Sequence, residues 1–417
     1  MRIVRPICCG LDVHKSVIVA TIASTGADGV TSHEQRSFTT LNPDLARLRD
    51  WLVERGCPEA CMESTGKYWI PVFNALEGHV RVVVTHPKYV RAIKGKKTDR
   101  KDSRWIADLF ACDLVRTSFI PPRDIRECRE IARYRHKLVC MRSSERNRYQ
   151  NCMTVSNIGL GSVLSDCMGV TARAVMADVA SGEPFDEGRL RGLVRGRAKA
   201  KADLVVDSVR GCMLDDAQRF KISASLEHMD HLDELVAACE AELRDRLAPH
   251  WAAVELAQTI PGVRELSAML IVSETGDDMS VFEDADHLAS WAGLAPGCNE
   301  SAGKRRSSRT TRAGRYLKPV LIQCALAAVR STRDDGYFAA KYERISRRRG
   351  KKRALVAVAR MMMVSLYHML SNGEVFSPSD HDIPSASDSR RDRIDEESAL
   401  ELLRSLGYDI AAPTSDG

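Results

Sequence analysis

Four carboxylates sit in short motifs that could assemble a metal site. Asp12 lies in Gly10-Leu11-Asp12-Val13-His14-Lys15, and Glu63 in Glu63-Ser64-Thr65-Gly66. Asp99 and Asp102 lie in Lys97-Thr98-Asp99-Arg100-Lys101-Asp102. On a helix, residues three apart share a face, so Asp99 and Asp102 would point the same way. Carboxylates gathered together repel unless a cation lies between them. Two divalent ions remove that repulsion, activate an oxygen nucleophile and stabilise a leaving oxygen at phosphorus. Hard oxygen donors favour magnesium, with manganese as the alternative, over zinc. Each residue also has an ordinary reading: Asp99 as an N-cap, Asp102 as a partner of the helix dipole, Glu63 as a strand-end acid. His14, beside Asp12, could reach the site or simply sit on an exposed turn. Asp108 and Asp113, further along the same helix, read as structural.

Lys88, Arg91, Lys94, Lys96, Lys97, Arg100, Lys101 and Arg104 run up to and through the third motif. Cations abutting carboxylates suit a phosphate backbone, which the cations hold while the acids hold metal. A solvated charged face is the plain alternative.

These side chains need a frame. Strands are expected at 7–13, 17–24 and 33–39, a helix at 41–55, and a strand at 59–63. A helix at 68–76, a strand at 80–85 and a helix at 99–114 follow. An antiparallel meander continued by parallel crossovers is the order of a ribonuclease-H-like fold. There the first and fourth strands are neighbours, so Asp12 and Glu63 would end side by side with the later helix crossing over them.

From about residue 124 the pattern turns helical. Ile131, Tyr134, Leu138 and Met141 fall at heptad-like offsets, amid many arginines. A second long helix near 220–247 carries Ile222, Leu226, Met229, Val236, Cys239 and Leu243 on one face. A helical coiled-coil arm and plain intramolecular packing both fit. Next comes Thr259-Ile260-Pro261-Gly262-Val263, which looks like half of a helix-hairpin-helix, a turn whose backbone N–H groups can meet a phosphate. A polar loop at 295–314, a helix at 315–329 and a basic run from Arg347 to Arg353 lead into the last apolar helix. The tail after 372 reads as disordered, with a short helix at 400–406.

The formal charge is +6, but residues 373–417 hold 11 acidic and four basic side chains, so the rest of the chain carries +13. A basic body points to a polyanion partner. Thirteen cysteines without any C-x-x-C spacing read as reduced, buried thiols rather than disulfides or zinc ligands. No cleavable leader is expected at the N-terminus. The apolar stretch at 354–370 contains Arg360 and His368 and reads as a buried helix rather than a membrane span.

The three carboxylate motifs resemble those of the DEDD transposases of insertion-sequence family 110, the bridge-RNA-guided recombinases. The resemblance continues through Arg133-Tyr134-Arg135, Ile260-Pro261-Gly262-Val263, Ala292-Gly293-Leu294-Ala295-Pro296, Ser301-Ala302-Gly303-Lys304 and Arg348-Arg349-Gly350-Lys351-Lys352, so it covers roughly residues 1–372. It implies that Asp12, Glu63, Asp99 and Asp102 are the catalytic, metal-binding set of a Holliday-resolvase-like domain at 1–122. A helical, coiled-coil region follows at 123–250. The C-terminal transposase domain at 251–372 then carries a catalytic serine, before an acidic tail at 373–417.

Ser301 matches that serine, although the family loop is richer in Ser and Gly here, and Ser307 and Ser308 are nearby competitors. Activated by metal, Ser301 would form a covalent phosphoserine that conserves bond energy for rejoining. Lys304, Arg305, Arg306 and Arg309 would stabilise charge developing on phosphorus, and Arg315, Arg349, Lys351 and Lys352 would grip phosphates.

The resemblance also implies partners: donor and target DNA, and a structured non-coding bridge RNA acting as guide, recognised by shape and charge. It further implies dimers pairing into tetramers, with the carboxylates of one subunit meeting the serine of another. No membrane role is implied, and the setting would be the bacterial cytoplasm at the nucleoid. Two competing readings are a metal-dependent junction-resolving nuclease that does not need Ser301, and a catalytically inactive nucleic-acid scaffold.

Overall fold

The computed structural model describes residues 2–64, 66–90, 99–295, 299–301, 304–307, 310–311, 313–331 and 336–378; among these, the side chains of 88–89, 99–100, 299–301 and 304–307 are not described. Two compact units meet in sequence at Pro121 and Pro122.

The first unit holds one five-stranded sheet. Its strands are β1 (Ile7–Val13), β2 (Val17–Thr25), β3 (Thr31–Thr39), β4 (Glu59–Glu63) and β5 (Arg81–Thr85), in the order β3-β2-β1-β4-β5. β1 pairs antiparallel with β2, and β2 with β3; β1–β4 and β4–β5 are parallel. This is the ribonuclease-H-like order expected from the strand pattern. The central strands are apolar because both faces are covered, whereas edge strand β3 carries His33, Glu34 and Arg36.

Helices α1 (Asn42–Glu54) and α2 (Trp69–Leu76) close one face. α1 starts with Pro43 in its first turn and Asp44 at the positive end of the helix dipole. Leu48, Trp51 and Leu52 of α1, with Val72 and Leu76 of α2, pack on Cys9, Leu11, Ala60 and Met62. After a short α3 (Pro87–Val90), helix α4 (Asp99–Ala111) closes the other face, burying Ile106, Ala107 and Phe110 against Cys8, Ala23 and Cys61.

α4 runs antiparallel to β1. The backbone N–H groups of Val4 and Arg5 donate to Ala111 O at its C-terminal end, and Gly10 lies beneath Ser103 and Ala107 nearer its start.

The second unit is mostly helical. In order it contains α5 (Arg123–Val155), α6 (Leu160–Val163), α7 (Val170–Ala180), α8 (Glu187–Leu193), α9 (Ala202–Asp207), α10 (Asp216–Arg246), α11 (Trp251–Gln258), α12 (Glu265–Thr275) and α13 (Ala285–Trp291). A hairpin of β6 (Asn299–Ser301) and β7 (Lys304–Ser307) follows, then α14 (Leu317–Val329), α15 (Tyr337–Arg349) and α16 (Lys351–Asn372).

α5 and α10 lie antiparallel. Arg135 Nε donates to Glu240 at 2.8 Å, Leu138 packs with Leu232 and Val236, and Ser225 Oγ donates to the buried Glu145 at 2.6 Å. The two long helices therefore bracket the short ones by packing on each other within the chain.

The expected seam on α5 is corrected. Tyr134 is 52% exposed and Met141 49%; the buried residues are Ile125, Cys128, Ala132, Leu138, Glu145, Tyr149, Cys152 and Met153. Small residues such as Cys128 and Ala132 let neighbouring helices approach, and larger apolar residues at the same offsets on another face drew the sequence reading.

The 259–263 turn joins α11 to α12 as expected, but its glycine has a packing role. Gly262 has φ +84°, and a methyl group added there would lie 2.4 Å from Cys324 O of α14.

α16 is long and apolar enough to cross a membrane by length and composition alone. Its Ala354, Val358, Met362, Leu366 and Met369 are instead buried, and the helix packs on α13, α14 and α15. The described cysteines are free thiols. Burial pushes Cys8 and Cys61 up to about 12, as expected of inert core thiols. The tail helix expected at 400–406 lies outside the described residues.

Candidate active site

β1 and β4 run side by side, and their register pairs Cys9 with Ala60, Gly10 with Cys61 and Leu11 with Met62. The next positions are Asp12 and Glu63. Side chains alternate along a strand. Cys8 and Cys61 face α4, and Gly10 lies under it. Asp12 and Glu63 therefore share that face, at the carboxyl ends of adjacent parallel strands. α4 runs the other way and brings its first turn, with Asp99 and Asp102, to this same end. Asp12, Glu63 and Asp102 are half-buried.

Gly10 is what lets the helix lie this close. A methyl group added to it would stand 2.2 Å from Ser103 O and 2.4 Å from Ala107 N, backbone atoms of α4. A glycine inside a strand is the sequence signal for such an approach.

A polar ladder then fixes the helix against the sheet. Thr21 and Ser103 share a hydrogen bond at 2.8 Å, and Gln35 Nε2 donates to Thr21 Oγ1 at 2.7 Å and to Ser103 Oγ at 3.1 Å. Thr21 and Ser103 are buried, so leaving either unpaired would cost about 1–3 kcal/mol. Ser103 follows Asp102 directly, so the ladder fixes the turn that carries the acid. Sequence reading missed these three residues, because Thr, Gln and Ser on separate elements carry no shared spacing.

His14 Nε2 lies 3.2 Å from Asp12 Oδ2, so this histidine does reach the candidate site. Asp108 pairs with His33 at 2.7 Å and Asp113 with Arg5 at 2.8 Å, both away from the carboxyl ends of β1 and β4, as expected of structural acids.

Among the described residues, no three His, Cys, Asp or Glu side chains converge into a group that could hold a metal ion. The side chain of Asp99 lies outside those residues. The donors at this end are oxygen-rich, a hard set that suits magnesium or manganese.

Of the expected phosphate-binding residues here, Lys101 is exposed on α4. Arg91, Lys94, Lys96 and Lys97 lie outside the described residues, as do the side chains of Lys88 and Arg100.

In the second unit, the loop expected at 295–314 contains a hairpin. Ser301 ends β6 and pairs across with Lys304 of β7, and Glu300 pairs with Arg305. The side chains of Ser301, Lys304, Arg305, Arg306 and Ser307, and all of Ser308 and Arg309, lie outside the described residues.

The foot of this loop is tied by Tyr316. Tyr316 stacks under Arg133 at 4.9 Å and meets His136 edge-on at 5.3 Å. Arg133 also forms a two-pronged bond to Glu274, at 2.8 and 2.9 Å, and Arg129 donates to Glu274 O. Arg129 is pushed down to about 10, first by burial and only partly offset by Glu274.

Arg315 is exposed beside Tyr316. Arg349, Lys351 and Lys352 are exposed around Gly350, where α15 ends and α16 begins. Cations in the first turn of α16 oppose its dipole, by about 0.3–1 kcal/mol each. Their placement fits a polyanion better than it fits helix stability.

A ribonuclease-H-like sheet thus carries acids at the ends of β1 and β4, and a helical unit with many exposed cations follows it in the chain. Residues 9–157 match the DEDD family described as Transposase, and residues 254–343 match the family described as Transposase IS116/IS110/IS902.

The chain is similar to the insertion element IS900 42 kDa protein of Mycobacterium paratuberculosis, 34% identical over 35% of this chain and 36% of that protein. It is 26% identical to the insertion element IS110 43.6 kDa protein of Streptomyces coelicolor, over 67% of this chain and 72% of that one. A third relative, the transposase for insertion sequence element IS1328 of Yersinia enterocolitica, is 32% identical over 24% of this chain and 29% of its own. The alignment thus spans about a third of the length of the first of these relatives. The chain belongs to the IS110 family of DEDD transposases.

Proposed function

We propose that the protein is a recombinase that cuts and exchanges DNA strands to move an insertion sequence. Its two working parts are the acids Asp12, Glu63, Asp99 and Asp102 and the nucleophile Ser301. The reading rests above all on the close seating of α4 over Gly10, at the strand ends that carry Asp12 and Glu63.

Magnesium, held by those four acids, would supply positive charge at the scissile phosphate and lower the pKa of an attacking oxygen. The chain's own residues do the rest. His14, bonded to Asp12, orients that carboxylate. Lys304, Arg305, Arg306 and Arg309 compensate charge that builds on the phosphate oxygens. Attack by Ser301 Oγ forms a serine–phosphate bond and breaks one backbone P–O bond, releasing a strand end as a hydroxyl. Reversal onto another strand's hydroxyl rejoins the backbone and frees the serine, with no hydrolysis.

Lys94, Lys96, Lys97, Arg100, Lys101, Arg315, Arg349, Lys351 and Lys352 hold nucleic-acid backbone. In this reading a structured bridge RNA chooses donor and target DNA by base pairing, the protein works as a dimer pairing into a tetramer, and the setting is the bacterial cytoplasm. The test is recombination of the native element in cells with wild type, Asp12→Ala and Ser301→Ala. Both variants should lose recombination, and retention by both would sink the mechanism. Loss in Asp12→Ala alone would favour a metal-dependent nuclease.

A further inference from the structure

We propose that Lys318 is a positioning residue for the serine chemistry, locking the neck of the loop that carries Ser301; this rests on the Ser301 reading above. The chain leaves α13 through Ala292-Gly293 and returns to α14 through Ala313-Gly314. These two dipeptides touch backbone to backbone. A methyl group added at Gly293 would lie 2.2 Å from Ala313 O, and one at Gly314 would lie 2.0 Å from Ala292 O. Both glycines have positive φ, +71° and +67°, so a side chain is excluded by conformation as well as by space. The β6–β7 hairpin lies between them in the chain.

Lys318 ties the neck from inside. Its backbone N–H donates to Gly314 O at 2.8 Å. Its Nζ donates to Gly293 O at 2.9 Å, on the outgoing strand, and to Thr310 Oγ1 at 2.6 Å, on the returning one. One side chain therefore joins the two arms and the helix that follows.

The arrangement is costly for a lysine. Burial pushes its ammonium down, the two acceptors are neutral, and the first turn of α14 is the wrong end of a helix for a cation. An apolar side chain there would keep the main-chain bond to Gly314 but could not join Gly293 O to Thr310 Oγ1, as the ammonium does.

A nucleophile must sit close to its in-line position before attack, and a displacement of about 1 Å can cost on the order of a hundredfold in rate. A hairpin projecting from an unlocked neck would lose that alignment. The lysine thus fixes where Ser301 begins, without touching the phosphate.

The test uses the full-length protein with Lys318→Met, Lys318→Arg and Thr310→Val. Single-turnover formation of the covalent protein–DNA product is followed on the element's own junction DNA, with its RNA and magnesium. DNA affinity is measured beside it. Tryptic cleavage at Lys304 to Arg309 in the free protein reports the neck independently of activity.

The expected result is cleavage of that segment about tenfold faster in Lys318→Met and Thr310→Val. The rate of covalent product should fall about tenfold or more with unchanged DNA affinity, and Lys318→Arg should recover most of it. Unchanged rate and protection would overturn the proposal. So would weakened DNA affinity with an unchanged rate at saturation, which would make Lys318 a phosphate contact. If wild type forms no covalent product, or Ser301→Ala forms it equally, the serine reading fails. Faster tryptic cleavage in the variants would then leave Lys318 a structural tie, and the positioning role would fall with that reading.

Discussion

Gly10 on β1 and Ser103 on α4 stand so close that a methyl group on the glycine would lie 2.2 Å from the serine's carbonyl oxygen. That contact sets the height of α4 above the sheet, and with it the distance between Asp102 on the helix and Asp12 two residues beyond the glycine.

The first prediction follows from it. Gly10→Ala must push the backbone of α4 away, and overpacking of this kind costs about 1–3 kcal/mol. Thermal unfolding should fall accordingly. Recombination should be lost even at temperatures where the variant stays folded, because the helix that carries Asp102 has moved. A folded, fully active Gly10→Ala would mean that the seating of α4 does not matter to the chemistry.

Magnesium should raise the unfolding temperature of the wild-type protein. A ligand that binds only the folded state at a hundred times its dissociation constant contributes about 2.7 kcal/mol. Asp12→Asn should abolish this magnesium-dependent rise. Calorimetry with and without a chelator reads the rise and its loss.

His250 bridges two acids of the second unit, with Asp277 at 2.7 Å and Asp124 at 3.0 Å. Burial alone would lower its pKa, but the bonds and charges of the two acids outweigh that and raise it above its ordinary 6.5. A raised folded-state pKa stabilises where the imidazole is protonated in the fold. The contribution is therefore complete below pH 6.5 and fades as the pH rises through the raised value. His250→Gln should lose stability mainly on the acid side of that window and change little at high pH, as followed by urea unfolding across pH.

Glu274 serves two arginines at the foot of the serine loop. Its side chain is 6% exposed and that of Arg129 11%. Removing the acid leaves Arg129 buried without it, which typically costs about 3–5 kcal/mol. Glu274→Ala should therefore be among the most destabilising single changes in the second unit, measured by chemical denaturation. Glu274→Asp should recover part of the loss.

Much of the first unit was legible in the sequence. Alternation and apolar runs marked the strands within a residue or two, and their order implied that β1 and β4 are neighbours. The acids could then be assigned to one end because each motif fell at the end of an element. The ladder of Thr21, Gln35 and Ser103 was not legible, since it joins elements whose pairing only the fold supplies. On α5 the heptad offsets pointed to Tyr134 and Met141, both exposed. Amphipathic spacing says that a stripe exists, but a long helix whose buried stripe uses Cys, Ala and Glu hides it among larger apolar residues. The glycines at 293 and 314 belonged to a quoted motif and a loop boundary, yet their mutual contact depends on the loop closing on itself.

The most direct test of the account is whether wild-type protein becomes covalently joined to DNA. The protein is incubated with the element's flanking DNA, its transcribed end RNA and magnesium, then run on a denaturing gel beside Ser301→Ala. A slow-migrating adduct from wild type alone, mapping by mass spectrometry to Ser301, is the predicted result. Strand cleavage by both proteins with no adduct from either would contradict it and leave a metal-only nuclease in its place.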